Sequence, residues 1–156
     1  MHQTLKSLIS SIEPTSLKVH VPTRVVFLCG GAIDGNHPPS APKMLRDVYY
    51  RHRKPDLAAL PFKIVLAEDA NPLTTDAGYS DLLSFESDVA QIVGLIVLFV
   101  ESAGSFAELG AFSALETIAP SLLAVMLDHY YQQSSFIKNG PIKYLEDRHG
   151  EDSVLS

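Results

Sequence analysis

Residues 94–113, GLIVLFVESAGSFAELGAFS, contain an unbroken apolar run, Leu95 to Val100, that stops at Glu101. A short Ser/Ala/Gly turn follows, and a helix is expected to open at Ser105 with Glu108 in its first turn. So short a run cannot cross a bilayer and is typical of a strand buried on both faces. Strands of that kind belong to parallel sheets, whose faces are covered by helices. In open parallel sheets, ligands sit beyond the carboxyl ends of the strands. Glu101 and Glu108 therefore stand where a site belongs. Two acids there point to chemistry on a sugar or nucleotide.

Upstream, Arg24 to Cys29 (RVVFLC) is a strand-like run that stops at Gly30-Gly31. The loop AIDGNHPPSAP leads to a helix in which Leu45, Val48, Tyr49 and His52 share one face, expected to end before Pro55. Phe62 to Ala67 reads as a second strand ending at Glu68-Asp69, and a helix follows near 81–93. Downstream of the opening stretch, Leu122 to Leu127 is a further strand ending at Asp128-His129. A helix-like piece lies around Pro141 to Asp147, and Val154 opens a last strand. Strands and helices alternate throughout. The expected fold is α/β: a doubly wound, Rossmann-like or flavodoxin-like, mostly parallel sheet of four to five strands with helices on both faces. Residues 1–22 form an N-terminal extension, with Leu5, Leu8, Ile9 and Ile12 at helical spacing before Pro14. Such a helix suits packing, partner binding or oligomerisation. Residues 23–156 form the single main domain. The sequence stops barely into the fifth strand, so a truncated or shortened form is expected.

The 156 residues carry twelve Lys/Arg against eighteen Asp/Glu, a net charge of −6. That balance argues against wrapping nucleic acid through phosphates, although Arg46, Arg51, Arg53 and Lys54 make a local basic patch. The lone Cys29 excludes an internal disulfide and a cysteine-based zinc site. No signal-type apolar core opens the chain, and a cytoplasmic protein without a membrane association is expected.

Three strand ends deliver polar groups to one rim: Gly30-Gly31, Glu68-Asp69 and Glu101-Ser102. The glycines let a ligand approach the backbone, or simply make a tight turn. Ser105 and Glu108 have the spacing of a capping box, which would account for both without catalysis. The functional alternative places Glu108 at the positive end of a helix, ionised at neutral pH, as a nucleophile or a stabiliser of an oxocarbenium-like centre. A second acid would come from Glu86, Asp88 or Glu101; Glu86 and Asp88, two residues apart on a helix, do not share a face. His37 overhangs the rim and could touch a base or phosphate, whereas His129 reads as structural. No cluster has metal-ligand spacing, and no cofactor is expected.

Several of these segments together look like a known family. LCGG at 28–31, AED at 67–69, LLSFES at 82–87, LFVESAGSFAELGAFS at 98–113 and SFIKNGPIKYL at 135–145 resemble the effector (toxin) subunit of bacterial retron antiphage systems. ELG at 108–110 more distantly resembles the nucleophile segment of nucleoside 2-deoxyribosyltransferases. The resemblance implies a deoxyribosyltransferase-like domain over 23–156 that acts as an N-glycosidase on a nucleotide such as NAD. Glu108 takes the nucleophile position. Asp88 matches the proton-delivering acid of the deoxyribosyltransferases, whereas Glu86 matches the retron pattern. Gly30, Gly31, His37, Glu68, Asp69, Glu101, Ser102 and Ser105 are the candidate substrate-binding residues. The implied partners are the nucleotide, the retron's reverse transcriptase and its RNA-linked DNA, with a homo-oligomer expected. Two other readings stay open: a nucleotide-binding sensor without catalysis, and a deoxyribosyltransferase of nucleotide salvage.

Overall fold

A computed structural model describes residues 24–33, 44–59, 61–70 and 78–156; the expected N-terminal helix and His37 lie outside them. Among the described residues, five strands form one all-parallel sheet: β1 (Val25–Gly30), β2 (Lys63–Leu66), β3 (Leu95–Val100), β4 (Leu122–Met126) and β5 (Val154–Leu155). Their order is β2-β1-β3-β4-β5, the flavodoxin-like order. Between them run α1 (Leu45–Ala58), α2 (Ala67–Ala70), α3 (Leu82–Ile92), α4 (Ala103–Ala114), α5 (Asp128–Gln132) and α6 (Lys143–His149). None of the described helices is long and apolar enough to cross a membrane.

Side chains alternate across the pleat, so each strand splits into two sets. Phe27, Cys29, Ile96, Leu98, Val100, Ala124 and Met126 face the main core. There they meet Phe85 and Ala90 of α3, Leu109 and Phe112 of α4, and Ile142 and Leu145 at α6. Leu28, Leu66 and Phe99 face the other way and pack with Leu45 and Tyr50 of α1. Among the described residues, helices thus lie on both faces, but unevenly.

Local boundaries depart from the sequence expectation in three places. α1 runs through Pro55 to Ala58 instead of ending before it; a proline removes one backbone donor, which a helix can survive at a cost. β2 is shorter than 62–67, and Glu68 and Asp69 sit in the single turn of α2 instead of at a bare strand end. The piece near Pro141 begins as a π-turn, Lys138–Ile142, which absorbs the proline before the regular α6 begins.

Candidate active site at the β1/β3 switch point

β1 connects toward β2 on one side, while β3 and β4 follow on the other. The crevice at such a reversal is where open α/β sheets bind ligands. Cys29, Gly30 and Gly31 reach it from β1, and Val100, Glu101 and Ser102 from β3.

The turn after β3 is built by two serines. Ser102 is the N-cap of α4 and accepts from the Ser105 amide at 3.2 Å. The Ser105 hydroxyl in turn accepts from the amides of Ser102 at 2.8 Å and Glu101 at 2.9 Å. The capping box is therefore Ser102–Ser105, and α4 starts at Ala103, earlier than expected. This corrects the reading in which Ser105 caps and Glu108 reaches back to it. Ser105 takes the reciprocal role itself, and Glu108 falls in the second turn.

Glu108 is released for other work. Its Oε2 is buried without a hydrogen-bond partner among the described residues. Burial, then the Glu86 carboxylate, push its pKa up from 4.5 to about 7, with Arg46 pulling the other way. Burial thus works against the ionised Glu108 expected from its place on the helix, since the field of the helix end fades beyond the first turn.

Glu86 of α3 is 6% exposed, and burial raises its pKa too. Asp88 faces outward on the same helix and accepts from the Tyr79 hydroxyl at 2.7 Å. The structure thus brings Glu86 toward Glu108 and leaves Asp88 at the surface. Cys29 lies within the field of both glutamates; its thiol pKa is raised by burial first, then by Glu108 and Glu86.

The remaining rim acids are engaged by the protein. Glu101 accepts from the Leu45 amide and, at 3.1 Å, from the Arg46 amide, neutralising the open N-terminus of α1. Glu68 pairs with Arg46 Nη2 at 2.6 Å. Asp69 is exposed on α2. Arg46 is the residue that sequence reasoning misplaced. Counted in a surface basic patch, it is 2% exposed. It donates to the carbonyls of Leu28 at 2.7 Å, Gly30 at 3.4 Å and Gly31 at 3.0 Å. Arg46 thus ties the end of β1 to α2 through Glu68. Apolar periodicity gives no signal for such a cation.

The two glycines answer to the protein as well. Gly30 has φ +128°, and a Cβ there would lie 2.5 Å from the Phe99 carbonyl oxygen. A Cβ on Gly31 would lie 2.9 Å from Glu101 Oε1 and from Met44 Sδ. Close packing at the switch point accounts for both. Phe106 packs edge-on against Tyr130, centroids 5.3 Å apart, as expected of a residue turned into the protein. His129 lies against Tyr130, ring centroids 3.9 Å apart and tilted by 43°. Among the described residues, no group of three His, Cys, Asp or Glu could hold a metal.

Chemically, the site offers a pair of desolvated carboxyls that resist simultaneous ionisation. Such a pair supports one ionised and one protonated member, a division of labour suited to bond cleavage at an acetal-like carbon.

Residues 42–156 match the family described as STM3845 retron effector protein. Over 133 residues the chain is 35% identical to each of two Escherichia coli relatives, the retron Ec86 and retron Ec73 proteins. Both are provisionally named ribosyltransferase/DNA-binding proteins. The matches cover 83% and 81% of this chain but only 39% and 40% of those relatives.

Proposed function

The chain belongs to the retron effector family, and from that premise we propose that it cleaves the N-glycosidic bond of a nucleotide. The observation that carries this reading is the half-buried Glu108, whose Oε2 is buried without a hydrogen-bond partner among the described residues and lies within the field of Glu86 at the switch point. In the proposed reaction the ionised Glu108 carboxylate attacks or stabilises C1′ of the ribose. Glu86 holds ribose hydroxyls or, where the base is neutral, protonates it as it departs; a cationic nicotinamide takes the bond electrons and leaves neutral without a proton, and water then takes the ribosyl group and frees Glu108. The family's relatives, named for ribosyl transfer, support the same bond as the target.

Electrostatics favours NAD over a neutral nucleoside. Glu108 feels the nearby Glu86 charge, and its cationic influence, Arg46, is already paired with Glu68. A nicotinamide riboside carries a positive charge on its leaving base. Bound here, it would favour ionisation of Glu108 as it arrives, arming the nucleophile only with substrate in place. We propose the retron's reverse transcriptase and its RNA-linked DNA as partners, on the strength of family membership.

The test is to incubate the chain with NAD and, separately, with deoxynucleosides, and to measure released nicotinamide or base. NAD is expected to be consumed, with activity lost in Glu108→Gln and retained in Glu116→Gln, an exposed control. Unchanged turnover in Glu108→Gln sinks the proposed role. Saturable binding with NAD intact after long incubation would point instead to a sensor.

A further inference from the structure

Arg46 is a cation held almost entirely out of water where the ends of β1 and β3 meet α2. Its amide donates to Glu101 at the end of β3 at 3.1 Å. Its guanidinium donates to the Leu28, Gly30 and Gly31 carbonyls at the end of β1, and Nη2 pairs with Glu68 of α2 at 2.6 Å. A brace for the switch point would explain these contacts. A brace, however, needs no charge, because strand-end carbonyls accept from a neutral amide as readily. Burying a guanidinium also costs solvation, and its Nε has no hydrogen-bond partner among the described residues. The charge therefore calls for a role of its own.

That charge is permanent, since a guanidinium keeps its proton at every working pH. Its ionic partner is less shielded from water. The Glu68 side chain is 43% exposed against 2% for Arg46, so water weakens the field of the acid more than that of the cation. Toward the protein interior the pair keeps a residual positive charge. The acids of the site lie in that direction. Cys29, between Leu28 and Gly30 on β1, feels Glu108, Glu86, Arg46 and Glu68 together, so the end of β1 is common ground for all four. On Glu108 itself, burial and then Glu86 raise the pKa, Arg46 lowers it, and Glu68 raises it again.

We propose that Arg46 is a positioning residue for Glu108: its buried charge, fixed by the β1 carbonyls, lets Glu108 ionise near neutral pH beside Glu86, and Glu68 limits that effect from the rim. The proposal rests on Glu108 as the working carboxyl of the N-glycosidase reading. The ionisable groups around it are Glu86 from α3, the Cys29 thiol from β1, Arg46 from α1 and Glu68 from α2.

The test follows the Glu108 carboxyl carbon by NMR through a pH titration of the full chain, its signal identified by its loss in Glu108→Gln. Two shifts of opposite sign are expected. Arg46→Met should raise the Glu108 midpoint by about half a pH unit or more, and Glu68→Gln, in which Arg46 keeps its carbonyls, should lower it by less. The pH profile of NAD cleavage should move with each midpoint, a response that a purely structural brace would not give. Shifts of the same sign, or a midpoint indifferent to either charge, overturn the proposal. Should Arg46→Met fail to fold by circular dichroism, the sign of the shift in Glu68→Gln decides alone. Midpoints that move as expected in a chain that leaves NAD intact uphold the charge relation and sink the N-glycosidase reading instead, so the titration and the assay fail separately.

Discussion

The two faces of the sheet are made from the same strands and differ in almost everything else. On one, Phe27, Ile96, Leu98, Val100 and Ala124 are sealed beneath α3, α4 and α6. On the other, Leu28, Leu66 and Phe99 form a small cluster under α1, and β4 alternates between buried and half-buried side chains. The acids of the candidate site belong to the helices of the sealed face, Glu86 on α3 and Glu108 on α4. That association has a physical reason. A carboxyl is desolvated only where rigid packing keeps water out, and raised acid pKa values follow. The sealed face offers the chemistry.

The sharpest way to break this contrast is through activity. Glu108→Gln should lower the rate of the proposed NAD cleavage by about 10³-fold or more, while Leu123→Ser on the other face leaves it within about twofold. A comparable loss from both variants would mean that the site depends on the packing of the other face as well. Next comes packing. Leu98→Ala, on a fully buried side chain, should cost about 3 kcal/mol by urea denaturation. Leu123→Ala, on a half-buried side chain of the other face, should cost less than about 1 kcal/mol.

The third prediction concerns pH. The Glu108 carboxyl keeps its proton up to about 7 in the fold, against an ordinary value of 4.5. Between those values the unfolded chain has released a proton that the folded chain still holds, so the fold loses stability as pH rises through the window. Glu108→Gln removes that penalty. It should stabilise the chain at pH 8 by about 1–2 kcal/mol, after allowing for solvent screening, with the gain gone near pH 4.5. Catalysis by the proposed route should show the opposite demand, kcat/KM rising with pH through about 7 as Glu108 of the free chain ionises. A modest effect is expected at Ser102→Ala. Loss of the α4 cap should cost about 1 kcal/mol in thermal unfolding.

Much of the fold was legible because apolar runs report strands whatever covers them. Leu95–Val100 and Leu122–Met126 stand in the sequence nearly as they stand in the sheet. For the same reason the uneven coverage was illegible: LLAVM reads alike on a sealed face or a thinly covered one. The start of α4 was misread because ESAGSFAE offers two overlapping boxes, and the Ser–Glu pairing is the more familiar. Ser102–Ser105 wins by satisfying the Glu101, Ser102 and Ser105 amides at once, leaving Glu108 unused. Arg46 was hidden because a cation among other cations reads as solvated. Only the strand-end carbonyls and Glu68, brought from elsewhere in the chain, make its burial tolerable.

The position of β1 has a consequence for how the chain is made. β1 is the earliest of the described strands to leave the ribosome, yet it lies in the interior of the sheet, paired with β2 and β3. Its register on β3 joins Val26 to Leu95, so one edge of β1 stays without its partner for roughly seventy residues of synthesis, on the order of several seconds. During that interval VVFLC presents unpaired backbone and apolar side chains to whatever passes. Arg24, immediately before this run, puts a charge where a neighbouring nascent chain would have to pair. Yield at the ribosome is thus tied to how quickly β3 follows β1, a constraint separate from the stability of the finished fold.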